Sequence, residues 1–402
     1  MQPGPDDIAP TVAASTFVDP PHARAVLSQA RRACRAQFAA LGVMGGAWGV
    51  HIPSLKLRYE LGEAALSVVL LSAAAGAVLS LLFAGRLVAR LGARGALGVA
   101  AVAMTVVLAL ALQWPSWGWL LASMLVFGAS QSLYDVTINA EGTALESLSR
   151  RALMGGLHGM FSLGGMVGAA LAAAMLRAGV DPGVQLVVMA AGVAAVALVA
   201  SRWMLPVQAP SSATTGSEPS HFAWPRGRLL LIGLLIFAGM TAEGVMYDWC
   251  VLYLKQELSM PQAQAGIGFA VFSGAMALAR FGGDALRNRF DEQHLLAAGA
   301  ATAATAMGAV LLIAHPAVAL PGYALVGAGL ALVVPILFNA ATRVPGISRA
   351  AAIASVSSIG YSGFLIGPPL IGSVAQATSL SVAMGLVVVA AAALAVGARR
   401  IG

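Results

Sequence analysis

Three polar residues stand one helical turn apart inside an apolar run: Gln131, Asp135 and Asn139. Their i, i+4, i+8 spacing puts them on one face of a helix, with Tyr134 beside that face. A carboxylate placed there can take up a proton or accept hydrogen bonds from the hydroxyls of a solute. Asn and Gln equally serve as hydrogen-bonding glue between helices. The pair Asn139-Ala140 recurs as Asn339-Ala340, which sets Asn339 beside Asn139 among the solute- or proton-binding candidates and also points to a structural role for both asparagines.

A second carboxylate, Glu243, lies in another apolar run, with Tyr247 one turn on and Asp248-Trp249 beyond it. Counted from Leu229 at ~1.5 Å per residue it falls ~21 Å along a helix, in the outer half. A charge at the centre of a membrane helix costs roughly 2.5–3.5 kcal/mol, so each one calls for a reason. The chemical reason is a group that loads a proton on one side and releases it on the other. The bland one is an ion pair holding a helix. Trp48 and His51 share a face at i, i+3. An imidazole ordinarily titrates near neutral pH, and Trp48, Tyr247 and Trp249 offer flat faces for a sugar-like ring. An interfacial aromatic belt accounts for the same residues.

Further charges gather near the inner side. Glu141 and His158 flank one inner loop, and Arg280 and Asp284 are spaced i, i+4, so they are expected to pair. They read as gate charges that re-pair when two parts of the molecule rock, or as a structural cluster at a membrane surface. No Walker A loop, HExxH, CxxC or GxSxG is present. No catalytic residue, metal or cofactor is therefore expected, and any energy for transport comes from a gradient.

The elements that must position these groups follow from composition. Of 402 residues only 10% are charged, against roughly 25% in a soluble domain. Hydrophobic types make up 59% and mean hydropathy is +0.84. This excludes an ordinary soluble enzyme, a disordered chain and a disulfide scaffold, and the two cysteines, Cys34 and Cys250, lie in apolar runs. The net charge of +7 is spread thinly between apolar runs, unlike the dense patches of a nucleic-acid binder. The expected fold is an all-α membrane protein with twelve transmembrane helices. They lie near 35–52, 64–83, 96–112, 118–138, 154–175 and 184–204, then 229–254, 263–281, 295–314, 320–341, 352–375 and 380–398. Strands of a membrane barrel would alternate apolar and polar residues and are excluded.

A polar stretch rich in Pro, Ser, Thr and Gly divides the chain. The organisation is a loose cytoplasmic tail (1–30), a six-helix bundle (31–205), a cytoplasmic linker (206–228) and a second six-helix bundle (229–402). With both termini inside, eighteen basic residues fall on the inner side. Only Lys56, Arg58, Arg177 and Lys255 fall outside, and Arg280 stays within a helix. That bias supports the orientation, because Lys and Arg resist translocation. The halves also repeat: LKLRYEL at 55–61 matches LYLKQEL at 252–258, and the Arg-rich turn at 85–92 lines up with 284–291. Two halves that start on the same side form a parallel repeat about an axis along the membrane normal.

The turn formed by Gly85, Arg86, Arg90, Gly92 and Arg94 resembles the signature of the major facilitator superfamily, G-x-x-x-D-R-x-G-x-R. It departs from that signature at Ala89, where the Asp belongs, and Asp284 is the carboxylate at the matching turn of the second half. Asp135…Asn139…Glu141, Leu157-His158-Gly159 and Glu243-Gly244…Asp248-Trp249 look like the fucose-permease-like branch. The resemblance covers about residues 30–400. It implies a secondary transporter that carries a sugar-like or small polar metabolite by alternating access, coupled to protons, with Asp135 and Glu243 as the coupling carboxylates. Partners would be the solute, protons and the bilayer, with no nucleic acid. A monomer in the bacterial inner membrane is expected. Proton-coupled efflux of drugs or metabolites is the alternative within transport, and a sensor that kept the fold without turnover is the alternative outside it.

Overall fold

A computed structural model describes residues 20–205 and 224–401. The first nineteen residues of the expected tail and residues 206–223 of the expected linker lie outside them. Among the described residues the chain is helical throughout, with no strand. The order is α1 (Pro20–Arg58), α2 (Glu63–Leu110), α3 (Trp117–Ser149), α4 (Met154–Arg177), α5 (Pro182–Ser201) and α6 (Gly227–Gln256). Then come α7 (Gln262–Arg289), α8 (Glu292–Ile313), α9 (Pro316–Leu330), α10 (Val333–Thr342), α11 (Arg349–Ala377) and α12 (Leu380–Ala398). Residues 20–30, expected in the tail, are the first turns of α1. Their Ala, Arg and Leu are good helix formers.

Ten helices among the described residues are long and apolar enough to cross a membrane. Two features bring the crossings to the twelve expected. Helix α2 is two arms joined at Gly92, whose φ of 68° and ψ of 163° break the helical path and turn the chain back. Helix α3, 33 residues long, falls short of that apolarity because Gln131, Asp135 and Asn139 interrupt its run. The tenth crossing is divided between α9 and α10 at Ala331 and Leu332.

Lipid tails are as apolar as Leu, so close backbone approach has to join these helices in place of a hydrophobic drive. A Cβ at Gly42 or Gly46 of α1 would fall on the carbonyl oxygens of Phe161 or Gly165 in α4. One at Gly164 or Gly168 of α4 would fall on those of Ala39 or Val43 in α1. The two arms of the N-terminal bundle formed by α2 and α3 meet in the same way, through Gly76 and Gly128. Helix ends are capped by side chains. Asp181 accepts from the amides of Gly183 and Val184 (2.8 and 3.1 Å) with Pro182 at the first helical position, and Glu146 accepts from those of Leu153 and Met154 (2.7 and 3.0 Å).

Helices α1–α5 make one bundle and α6–α12 the other. They meet along α4 with α7 and along α2 with α11, while α1 touches both α6 and α7. Large apolar side chains such as Leu82, Leu278 and Leu312 stay exposed on the outer faces, where lipid solvates them. One end of the molecule carries most arginines, among them Arg31, Arg35, Arg94 and Arg287, and is called here the basic end; the opposite end is the far end.

Candidate functional site

The first buried charge pair lies where the bundles meet. Arg280 of α7 donates from Nη2 to both carboxylate oxygens of Glu243 in α6, at 3.0 and 3.3 Å, and from Nη1 to Ser162 Oγ of α4 at 2.7 Å. The two charged side chains are only 11% and 12% exposed. A buried charge in such surroundings must be paired and hydrogen-bonded, and here both conditions are met across the joint. Ser273 Oγ of α7 donates to the Ser162 carbonyl at 2.8 Å, a second bond between the same two helices.

This overturns the expected Arg280–Asp284 pair. Asp284 is 60% exposed and its cation is Arg287, at 4.0 Å. The i, i+4 rule compares residues on one helix, whereas the long Arg280 side chain crosses to a neighbour carrying a carboxylate at its own depth. Glu243 itself stands sixteen residues into a thirty-residue helix, ~24 Å of ~45 Å at 1.5 Å per residue, so it lies just past the middle of α6.

Tyr247, one turn beyond Glu243, packs its ring against Phe161, Phe269 and Phe272, with centroids 6.2, 5.3 and 5.7 Å away. Its hydroxyl makes no well-formed hydrogen bond among the described residues. His158 of α4 neighbours Arg280 and meets Phe38 edge-on at 5.4 Å, so it belongs to the joint and not to a surface cluster.

Asp135 forms a separate centre. Asn139 Nδ2 donates to Asp135 Oδ1 and to the Asp135 carbonyl, both at 2.9 Å, so the expected polar face exists and holds itself together. Gln131 and Asp135 are half-buried, and Tyr361 of α11, from the other bundle, lies within electrostatic reach of Asp135. No hydrogen bond or ion pair among the described residues joins Asp135 to Glu243. Tyr134 turns away from this face: it is fully buried and its hydroxyl donates to Gln37 Oε1, while Gln37 Nε2 donates to the Ala197 carbonyl at 2.9 Å. Tyr134 thus ties α3 to α1 and does not line a solute path. One position away on a helix is 100° of rotation, enough to change face.

Trp48 of α1 packs on Phe127 at 5.4 Å and reaches Asp248 of α6 in the other bundle. Asp248 also borders a cavity of about 10 Å³ with Thr241, Trp249 and Pro368. Trp249 is fully buried beside that cavity, its indole N–H without a hydrogen-bond partner among the described residues.

His51 is fully buried at the far end. Its Nδ1 is 3.3 Å from Ser54 Oγ and its Nε2 is 3.2 Å from Gln185 Oε1. Gln262 of α7 donates to the same Ser54 Oγ at 2.7 Å and to the Val50 carbonyl at 2.9 Å. This chain of bonds joins the two bundles and closes the far end between α1 and α7. Between α2 and α11 a Cβ at Gly372 would fall on Ser67, so that side is closed as well. His51 belongs to this seal and not to a central solute site. At the basic end a cavity of about 130 Å³ opens between α1, α4 and α7, lined by Arg31, Arg35, Phe281 and Asp284.

Asn339 is not in the centre either. It donates to both oxygens of Glu292 (3.1 and 3.0 Å), which also pairs with Arg287 at 2.6 Å and Arg343 at 3.5 Å, so it fastens α10 to α8 at the basic end. In the signature turn, Gly92 makes the reversal, Arg86 and Arg90 are exposed, and Gly85 is exposed within the helix. Arg94 donates to the Met204 carbonyl while Glu141 Oε1 accepts from the Leu205 amide at 2.8 Å, so the two clasp the chain just after α5. The sequence pattern does not single out Gln37, Ser162, Gln185 or Gln262. Gln37 and Gln185 carry a usable signal, since a buried amide within an apolar run also demands a partner.

The family model described as Major Facilitator Superfamily matches residues 38–368. An uncharacterized MFS-type transporter of Yersinia pestis is 35% identical over 371 residues, covering 91% of this chain and 94% of that protein. The fold resembles FucP, the fucose:proton symporter of E. coli, with a TM-score of 0.60 at 16% identity, covering 92% and 98% of the two chains. FucP in the outward conformation gives 0.64. A bacterial homolog of the human lysosomal transporter Spinster, inward-facing and unoccupied, gives 0.69 at 14% identity, covering 95% and 98%.

Proposed function

The chain belongs to the major facilitator superfamily, a family of transporters and not of enzymes, and from that premise we propose that it moves a small polar solute across the membrane by alternating access, coupled to protons. The observation that carries this reading is the Glu243–Arg280–Ser162 cluster, a charged joint shared by the two bundles. Alternating access needs a group whose state both bundles feel. Protonating Glu243 removes one partner of Arg280, and Arg280 is bonded to α4 at the same time, so a proton alters the joint itself. Asp135, facing Tyr361 of the other bundle, is the second coupling carboxylate.

The basic end is the cytoplasmic one, by the resistance of arginines to translocation, with both termini inside and the bacterial inner membrane as the location. The bonded seal at the far end then makes this the state closed to the outside. Each chain contains both bundles and works as a monomer. The proton symport of FucP supports proton coupling by kinship of fold.

Uptake into proteoliposomes under an imposed pH gradient tests the reading. Asp135→Asn and Glu243→Gln are expected to abolish gradient-driven accumulation while counterflow continues. Full accumulation in both variants would refute the coupling.

A further inference from the structure

Proton coupling through Glu243 leaves the charge on Arg280 to be accounted for, and the chemistry of the solute rests on that coupling. A guanidinium offers five N–H donors in a planar fork. Those of Arg280 bond Glu243 twice from Nη2 and Ser162 once from Nη1, and its Nε–H has no acceptor among the described residues' hydrogen bonds. While Glu243 is ionised the pair is neutral. Once Glu243 takes a proton, a lone cation stands in the joint, where an uncompensated charge is strongly disfavoured.

A neutral solute would leave that imbalance in place and a cationic one would double it. An anion would remove it. Of the anions, a carboxylate matches the fork bidentately and brings the single charge that one proton displaces, whereas a phosphate dianion would overshoot. The surrounding wall suits the rest of such a molecule. The Tyr247 hydroxyl lies near Arg280, Ser162 and Ser273 but makes no well-formed hydrogen bond among the described residues, Ser162 Oγ lies 2.7 Å from the guanidinium, and the rings of Phe161, Phe269 and Phe272 surround Tyr247.

We propose that the solute is a small hydroxylated organic acid, whose carboxylate takes the place of Glu243 on Arg280 as Glu243 takes the proton. The titratable or charged groups facing Arg280 are Glu243 and Tyr247 of α6 and His158 of α4. Asp284 lies one turn away on α7 itself. Helix α1 carries no ionisable side chain between Arg35 and His51, and α9 contributes Tyr323, whose hydroxyl is held by the Cys250 carbonyl at 3.3 Å. One proton, passed between Glu243 and Asp135 in the course of the cycle, then moves with the acid as a neutral pair, so transport is electroneutral.

The probes are D-galacturonate, D-galactose and D-galactosamine, one ring carrying an acid, a neutral group or an amine, with D-gluconate as an open-chain acid. In proteoliposomes under a pH gradient the acids are expected to accumulate. A protonophore should collapse that accumulation, a potassium–valinomycin potential should leave its rate unchanged, and the neutral sugar and the amine should not accumulate. Acid binding to Glu243→Gln should be equal at acidic and alkaline pH, whereas wild type binds more weakly as pH rises. Arg280→Gln should lose roughly 30-fold or more in affinity. Should that variant fail to fold, the wild-type uptake and its indifference to potential decide. Gradient-driven accumulation of galactose or galactosamine instead of the acids, or potential-dependent acid uptake, overturns the organic-acid assignment and leaves proton-coupled transport standing. No accumulation of any of the four overturns both.

Discussion

Replacing Gln262 with Ala removes the bond that reaches from α7 to α1 at the far end. Two interactions between the bundles go, Nε2 to the Val50 carbonyl at 2.9 Å and to Ser54 Oγ at 2.7 Å, while the bond that Gln262 Oε1 accepts from Lys255 Nζ of α6 at 3.1 Å lies within one bundle and does not bear on the seal. The groups left behind are not stranded, because Ser54 Oγ keeps its contact with His51 Nδ1 at 3.3 Å and Val50 lies within a continuous helix. The loss is therefore that of the bonds themselves. In membrane proteins an interhelical hydrogen bond contributes ~0.6 kcal/mol on average and at most ~1.7. Two such bonds give about 1.2 kcal/mol, close to an eightfold shift in the ratio of sealed to opened states. Nitroxides at Leu57, 75% exposed on α1, and at the exposed Gln264 of α7 would report the opening by pulsed electron resonance. Both native cysteines are buried and free. The longer distance should gain about eightfold in weight over the shorter one. Gln113→Ala, in the turn after α2, whose side-chain amide donates to the Ala109 carbonyl at the end of that helix, should change nothing. A distance distribution identical to wild type in a folded Gln262→Ala protein would show that this seal does not hold the far end closed.

Tyr134→Phe should lower thermal stability in detergent by about 1–3 kcal/mol, since it leaves the Gln37 acceptor without its donor. Its KM for solute should not change, and a raised KM with unchanged stability would return Tyr134 to the solute path. Gly92→Ala should destabilise by roughly 1–3 kcal/mol because its φ of 68° and ψ of 163° suit glycine alone. Gly85→Ala, in open space within the same helix, should lose nothing and gain up to about 1 kcal/mol by the same melting assay. Gly128→Leu would drive a side chain into the Ala73 backbone and should yield no folded protein by size-exclusion chromatography. Gly308→Ala, with nothing within 4 Å, should fold and gain up to about 1 kcal/mol.

Polarity inside an apolar run is the part of the site that can be read in advance. It picks out Asp135, Asn139 and Glu243, because the expense of such residues in lipid is a property of one residue and its neighbours in sequence. Partnership cannot be read that way. Contact spacing on one helix pairs Arg280 with Asp284, yet its carboxylate comes from α6, 37 positions earlier. Likeness to Asn139 draws Asn339 to the centre, although the repeat keeps bonding to a carboxylate and not its location: one asparagine serves Asp135 on its own helix, the other Glu292 on a different one. The twelve crossings are legible because length and apolarity set them. The division of the tenth crossing at Ala331 and Leu332 has its signal in Pro335, which an apolarity count passes over: it has no N–H for the Ala331 carbonyl four residues back and its ring crowds that carbonyl.

The seam between α1 and α4 has a consequence for how such a carrier can change over time. Gly42, Gly46, Gly164 and Gly168 leave no room for any side chain larger than hydrogen, since the space is filled by the opposite backbone. That strip is closed to variation, and the two helices travel as one lever. Altered preference for cargo must therefore be acquired on the opposing wall, around Tyr247, Phe269 and Phe272, where a new side chain reshapes the lining while the glycine strip itself stays intact. A directed-evolution library confined to that wall should yield altered selectivity at little loss of fold, and one spread along the seam should yield mostly dead clones.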